Sequence, residues 1–226
     1  MITLASFNIR AGFGMENSYK LQRAIDKIST INADFIALQE VDVNIPRSEH
    51  TNIPKTIAEA VNMHYVFGKA IDYAGGEYGI ALLSKQAPIS TKKVLLPGLV
   101  ETRALIISEF ESAVVCATHF SLHEEFQLQA VDIIRNELCG KYNKPVYIMG
   151  DFNATPDSAT ITKLKDIFTI LTDTTIPTFP ADNPRICIDY IMCLKENADK
   201  VDVVETYTDD DKVASDHVYI SIKVKK

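Results

Sequence analysis

Lys144-Pro145-Val146-Tyr147-Ile148-Met149-Gly150-Asp151-Phe152-Asn153 is the stretch on which the reading of this chain turns. Residues 144–149 are a short, apolar, β-prone run and predict a buried strand. The strand feeds Gly150, after which Asp151, Asn153 and Thr155-Pro156-Asp157-Ser158 break the pattern. Asp157 or Ser158 can cap a following helix over 158–165. A carboxylate and an amide two residues apart at a strand end project to the same side of a sheet. Asp151 and Asn153 can therefore hold a water or a metal's oxygen shell together. An ordinary turn reads the same locally, because Asp and Asn favour turns through their own hydrogen bonds. Other polar residues at the same kind of position decide between the two.

Such residues recur along the chain. Residues 2–9 alternate as a strand does, with Asn8 near its end, where an amide is unfavourable by propensity. Phe35-Ile36-Ala37-Leu38 is a continuous apolar run that ends in Gln39-Glu40-Val41-Asp42. Ala113–Ala117 is apolar and ends in Thr118-His119. Residues 186–192 are strongly β-prone yet hold Asp189 in their middle, where a carboxylate costs stability unless paired. Ser215-Asp216-His217 precedes a cleanly alternating final strand over 218–224.

Between these points, helices are expected at 18–31, 54–62 and 123–138. The first has Leu21, Ala24, Ile25, Ile28 and Ile31 at helical spacing and Asn17 or Ser18 as its cap. Further strands are expected at 64–68, 78–84, 89–96, 103–110, 112–118 and 201–206, and 165–186 reads as loop. Arg47, in the polar loop 43–53, is a candidate anion contact, and Arg103 is either a salt-bridged arginine or a phosphate contact. Alternating strands and helices, then consecutive strands, then a partial return of the first pattern fit two sheets packed face to face with helices outside.

Composition narrows the class. The 226 residues suffice for one large domain, spanning 1–226, and 46% apolar with 23% charged residues is ordinary for a globular chain. No apolar run approaches the roughly 18 residues of a membrane span. The N-terminus enters a strand pattern at once, so the expected location is cytoplasmic, or secreted if a signal peptide has been removed. Cys116, Cys139, Cys187 and Cys193 form no CxxC pair, which disfavours a zinc site. Cys187 and Cys193 are expected on one face of a strand, as buried thiols suited to a reducing compartment. The net charge of −7 argues against strong non-specific DNA binding but permits a locally positive cleft.

Taken together, Asn8, Glu40, His119, Asp151, Asn153, Asp189, Asp216 and His217 make a carboxylate- and amide-rich set without cysteine. That donor chemistry suits a hard cation such as Mg²⁺ or Mn²⁺. Histidines beside carboxylates suit proton transfer or stabilisation of a phosphoryl oxygen. The mixture fits metal-assisted hydrolysis of a phosphate ester better than acyl transfer, and neither a Gly-x-Ser-x-Gly nor a P-loop is present.

The set Ser6-Phe7-Asn8-Ile9-Arg10, Leu38-Gln39-Glu40-Val41-Asp42, Thr118-His119-Phe120, Gly150-Asp151-Phe152-Asn153-Ala154-Thr155-Pro156, Ile188-Asp189-Tyr190-Ile191 and Ser215-Asp216-His217 resembles the endonuclease/exonuclease/phosphatase superfamily, motif by motif and in order. Pro46-Arg47-Ser48, Gly75–Gly79 and Thr178–Ala181 look most like its small bacterial metal-dependent hydrolases. The resemblance implies a four-layer α/β/β/α sandwich of two mixed, mostly antiparallel sheets. It implies Glu40 as main metal ligand, with Asn8 and Asp216 close to the metal. Asp151 would polarise the attacking water or serve the leaving group, and Asn153 would orient it. His217 would contact the phosphate or act as base, its ring fixed by Asp189, and His119 would stabilise the transition state or act as acid. Arg103 and Tyr78 carry over as phosphate contacts. Two departures concern the substrate rim: Arg185 lies further back from the Ile-Asp-Tyr strand than in many relatives, and Val218 replaces a polar residue.

The expected activity is that of a Mg²⁺- or Mn²⁺-dependent phosphodiesterase on a small or lipid-derived phosphoester, acting as a monomer. A nuclease on DNA or RNA is the alternative within the fold. A catalytically silent binding module is the alternative of another class, and the complete residue set argues against it.

Overall fold

The computed structural model describes residues 1–225. In chain order its strands are β1 (Ile2–Asn8), β2 (Phe35–Val43), β3 (His64–Tyr73), β4 (Gly76–Ser84), β5 (Ser90–Leu96), β6 (Arg103–Glu109), β7 (Val114–His119), β8 (Val146–Asp151), β9 (Phe168–Ile170), β10 (Asp189–Leu194), β11 (Asp202–Thr208) and β12 (Ile220–Lys225). The helices are α1 (Leu21–Ile31), α2 (Ile53–Ala60), α3 (Glu124–Leu138), α4 (Ala159–Leu164) and the single turn α5 (Lys195–Ala198). One six-stranded sheet has the order β11-β12-β1-β2-β4-β3 and the other β5-β6-β7-β8-β10-β9. Each has one parallel pair, β1–β2 and β7–β8. Those are the two places where a long helical crossover, α1 or α3, returns the chain beside its starting strand.

Alternation along the strands builds three apolar layers. Leu4, Phe35, Leu82, Ile106, Val115, Tyr147, Met149 and Ile191 fill the space between the sheets. Phe7, Ile36, Leu38 and Leu83 face outward and are covered by Leu21, Ala24 and Ile28 of α1 and Ile57 of α2. Val114, Cys116, Ile148 and Tyr190 face the other way, under Val131 and Ile134 of α3 and Ile161 of α4. The result is the four-layer α/β/β/α sandwich.

Two details of register place the site. His119, Asp151 and Asp189 are cross-strand partners on β7, β8 and β10, so they form one transverse row at one end of the sheet. In the opposite sheet Asn8 pairs with Gln39. Beyond it β2 carries a bulge: Leu38 pairs with Ala81 and Val41 with Gly79, so Gln39 and Glu40 oppose the single residue Ile80. Glu40 takes the left-handed conformation, φ 56°, that the bulge requires. The extra residue leaves Val41 in the outer core and turns Glu40 towards Asn8.

Several expectations need correction. Asp189 is the first residue of β10 and not the middle of a strand, because Ile186 is bridged back to Phe179. Cys187 therefore lies outside the strand's alternation and packs in the outer core, whereas Cys193 lies between the sheets. α1 starts at Leu21 without a side-chain cap, while Ser158 does cap α4, accepting from Ile161 N at 3.2 Å. β9 forms inside the expected loop 165–186, paired to β10.

Candidate active site

The row on β7, β8 and β10 meets the ends of β1 and β2 around the Asp151 carboxylate. Asn8 is fully buried, and its Nδ2 donates to Asp151 Oδ2 at 3.1 Å and to Glu40 Oε1 at 3.1 Å, linking the two sheets through one amide. Asn8 is itself held: Arg10 N donates to its Oδ1 at 3.1 Å, and Ser215 Oγ donates to its carbonyl at 2.7 Å. Asn153 sits just past β8 with φ 49°, and its backbone N–H donates to Asp151 Oδ1 at 2.8 Å. Its side chain donates to Phe120 O at 3.0 Å and stands 3.2 Å from His119 Nε2. The two oxygens of Asp151 are thus oriented from both sides.

Two histidines converge on the same oxygen. His119 Nε2 lies 3.5 Å and His217 Nε2 3.6 Å from Asp151 Oδ2. Their opposite nitrogens see opposite charges. His217 Nδ1 is 2.9 Å from Asp189 Oδ2, which also accepts the Thr178 hydroxyl at 2.6 Å. His119 Nδ1 is 3.4 Å from Arg103 Nη1. Burial disfavours charge on His217, but Asp189 and Asp151 outweigh it and push the ring up to about 10. Burial, then the positive charges of Arg103 and His217, hold His119 well below the usual histidine range. Burial also raises the Asp151 carboxyl to about 7, with His217 opposing and Asp189 reinforcing the shift. The centre therefore sets a ring that favours its charged form and a ring that favours its neutral form beside a carboxyl that holds its proton more tightly than usual.

Glu40 accepts one hydrogen bond, from Asn8, and has no cation paired to either oxygen among the described residues. Burial, and then the nearby charge of Asp216, raise its carboxyl. A divalent cation beside Glu40 would offset both effects, and the Glu40 and Asp216 carboxylates are oxygen donors of the kind such an ion takes, while the Asn8 amide, its Nδ2 on Glu40 and its Oδ1 on Arg10 N, would have to turn over to add its oxygen. Asp151, Asp189 and His217 also present ligand atoms within 4.8 Å of one another. Asp189 and His217, however, already bond each other, which leaves Glu40 the better anchor.

Among the expected contacts to substrate, Arg103 and Tyr78 are buried at the site, the Tyr78 phenol held well above its usual range by burial and then by Glu40 and Glu101. Arg47 is placed differently. Its Nε and Nη2 both donate to the buried Asp42 carboxylate at 2.8 Å, and its guanidinium lies over the rings of Tyr73 and Tyr78, 5.2 and 5.5 Å from their centroids. The fork an anion would use is already filled. Asp216 is turned to Arg10 Nε at 3.5 Å. Thr178, Phe179, whose ring packs 4.7 Å from that of His217, and Arg10 also reach the site; they lie within the motifs quoted from the sequence, which give them no role there. Thr178 and Phe179 come from a loop and Arg10 from the short 3-10 turn after β1, and none carries a signal of its own beyond its place in a motif.

The model of the Endonuclease/Exonuclease/phosphatase family matches residues 5–217. The chain belongs to that family. No curated protein matches it in sequence. Its fold is similar to that of an endonuclease/exonuclease/phosphatase from Beutenbergia cavernae (20% identity, TM-score 0.83, covering 99% of this chain and 71% of that one). It is also similar to a mannosyl-6-phosphatase from Bacteroides thetaiotaomicron (15% identity, TM-score 0.73, all of both chains). A third similar structure is the 3′ phosphatase NExo from Neisseria bound to product DNA hairpin (14% identity, TM-score 0.76, all of both chains). The family includes phosphatases and nucleases, and its members hydrolyse phosphoesters.

Proposed function

We propose that this chain is a divalent-metal-dependent phosphodiesterase that cleaves a small or lipid-derived phosphoester by in-line attack of an activated water. The observation that carries the reading is the convergence of His119, His217 and Asn8 on the Asp151 carboxylate. Asp151, its carboxyl raised by burial toward the range that suits a general base at neutral pH, takes a proton from the attacking water. His217, held charged by Asp189, binds an anionic phosphoryl oxygen, and its ring plane is set by the same carboxylate. Neutral His119 donates a hydrogen bond to the phosphoryl group or leaving oxygen. Asn8 and Asn153 orient Asp151. Glu40, with Asn8 and Asp216 near it, would hold a Mg²⁺ or Mn²⁺ ion, which would supply charge neutralisation at the phosphate and a more acidic water.

The arginines support a small substrate over a nucleic acid. Arg103, Arg10 and Arg47 each face a carboxylate, Glu101, Asp216 and Asp42 respectively, and the chain as a whole is acidic. A phosphomonoester is the second reading, favoured by the two similar structures that are named as phosphatases. Hydrolysis of bis(p-nitrophenyl) phosphate against p-nitrophenyl phosphate, with Mg²⁺, Mn²⁺ or EDTA, separates them. Metal-dependent diester cleavage is expected. Monoester preference would replace the diesterase reading, and cleavage that survives EDTA would contradict the metal's role.

A further inference from the structure

His119 is buried, and its environment restricts where its proton can sit. Arg103 Nη1 carries two hydrogens and has two acceptors: Glu101 Oε1 at 2.6 Å and His119 Nδ1 at 3.4 Å. A guanidinium has no acceptor and does not deprotonate in a protein. A proton on Nδ1 would therefore set two donors against each other. Asn153 Nδ2, 3.2 Å from Nε2, competes for the same ring, which in its neutral form accepts only one of the two. The amide has another acceptor in Phe120 O, and Asp151 Oδ2 lies near Nε2 to receive a ring N–H. Arg103 has no such freedom: it is buried, its Nε has no partner among the described residues, and Glu101 grips its Nη1.

We propose that Glu101 and Arg103 form a positioning pair that keeps Nδ1 of His119 unprotonated and its Nε2–H on the side of Asp151, where the phosphoryl group would react. Glu101 touches neither His119 nor Asp151; it acts through Arg103. Its loop is built to hold it. Thr102 Oγ1 donates to Ala70 O at 2.5 Å, tying the loop to β3, and Gly98 packs directly on the Glu101 carbonyl, where a β-carbon would not fit. The relay differs in kind from the other histidine's. A carboxylate on Nδ1 makes His217 a cation, and a guanidinium on Nδ1 makes His119 a neutral donor of fixed tautomer. The inference rests on the phosphoester-hydrolase reading for its catalytic consequence and on hydrogen bonding alone for the tautomer.

The test is imidazole ¹⁵N NMR of the whole protein near neutral pH, with EDTA and then with Mg²⁺, the His119 signals assigned through His119→Gln. Wild type is expected to show Nδ1 unprotonated and Nε2 protonated. Glu101→Ala is expected to move both signals toward exchanging tautomers and to lower kcat by about 10- to 100-fold, as loss of an orienting partner does, with KM nearly unchanged. Glu101→Gln keeps an oxygen acceptor and is expected to restore both. Far-UV circular dichroism reports whether the variants remain folded. An Nδ1–H tautomer in wild type, or a Glu101→Ala spectrum unchanged at His119, would overturn the proposal. Absence of hydrolysis by wild type would overturn the functional reading instead, and the spectra would still decide the tautomer.

Discussion

Asp189 Oδ2 accepts the Thr178 hydroxyl at 2.6 Å and lies 2.9 Å from His217 Nδ1, so one oxygen fixes a loop and a ring together. The other ring nitrogen faces Asp151, and the imidazole is held between two carboxylates. The pair has a consequence for stability. Asp189 and Asp151 push the folded His217 ring up to about 10, above its ordinary value of 6.5. A raised histidine contributes stability in full below its unfolded pKa and loses it as pH rises through the folded one. In EDTA, wild type is expected to exceed Asp189→Asn most at pH 6, with the difference in urea-unfolding free energy narrowing as pH approaches 10. A difference independent of pH would contradict the charge on His217.

Glu40 predicts the response to metal. Because burial and Asp216 raise its carboxyl, protons compete with a cation for it, and metal affinity falls as pH falls. Saturating Mg²⁺ or Mn²⁺ is expected to raise the thermal midpoint of wild type, since about 2.7 kcal/mol accrues at 100 times Kd. Glu40→Gln is expected to abolish the shift. Calorimetric scans with and without metal measure it, and an equal shift in the variant would place the ion elsewhere.

Gly150 allows β7 and β8 to approach just before Asp151. A β-carbon there would run into Thr118 O, a backbone atom that cannot rotate away. Gly150→Ala is expected to destabilise the protein by about 1–3 kcal/mol. The strand must shift and carry Asp151 with it, and displacements near 1 Å can cost about 100-fold in rate. Chemical denaturation and kcat on one preparation test both parts.

Arg47 predicts a loss of stability. Asp42 is fully buried and holds the Arg47 guanidinium through both oxygens. Arg47→Ala strands that carboxylate, at a cost of about 3 kcal/mol. Replacing both residues with apolar ones is expected to recover much of it, which a double-mutant cycle in denaturant would show.

The ends of the strands were legible because apolar runs of strand length stop abruptly at Asn8, His119 and Asp151. Glu40 stood out for the same reason, but the bulge that aims it was not legible. A left-handed Glu arises from the pairing of β2 with β4, a tertiary fact. Asp189 reads as mid-strand because Ile186, Cys187 and Ile188 extend the β-prone pattern; a bridge to Phe179 fixes where pairing begins. Arg47 gave its charge but not its partner Asp42, and the fork between them forms only when the loop folds back on β2. Thr178, Phe179 and Arg10 reach the site from irregular segments, where periodicity says nothing about direction.

The central claim is that Asp151 activates water for metal-dependent cleavage of a phosphoester. It is tested most directly by hydrolysis of bis(p-nitrophenyl) phosphate with saturating Mn²⁺ by wild type and by Asp151→Asn, each repeated in EDTA. The account predicts cleavage by wild type that requires metal and a fall in kcat of at least about 100-fold in the variant. Undiminished metal-dependent cleavage by Asp151→Asn would contradict it.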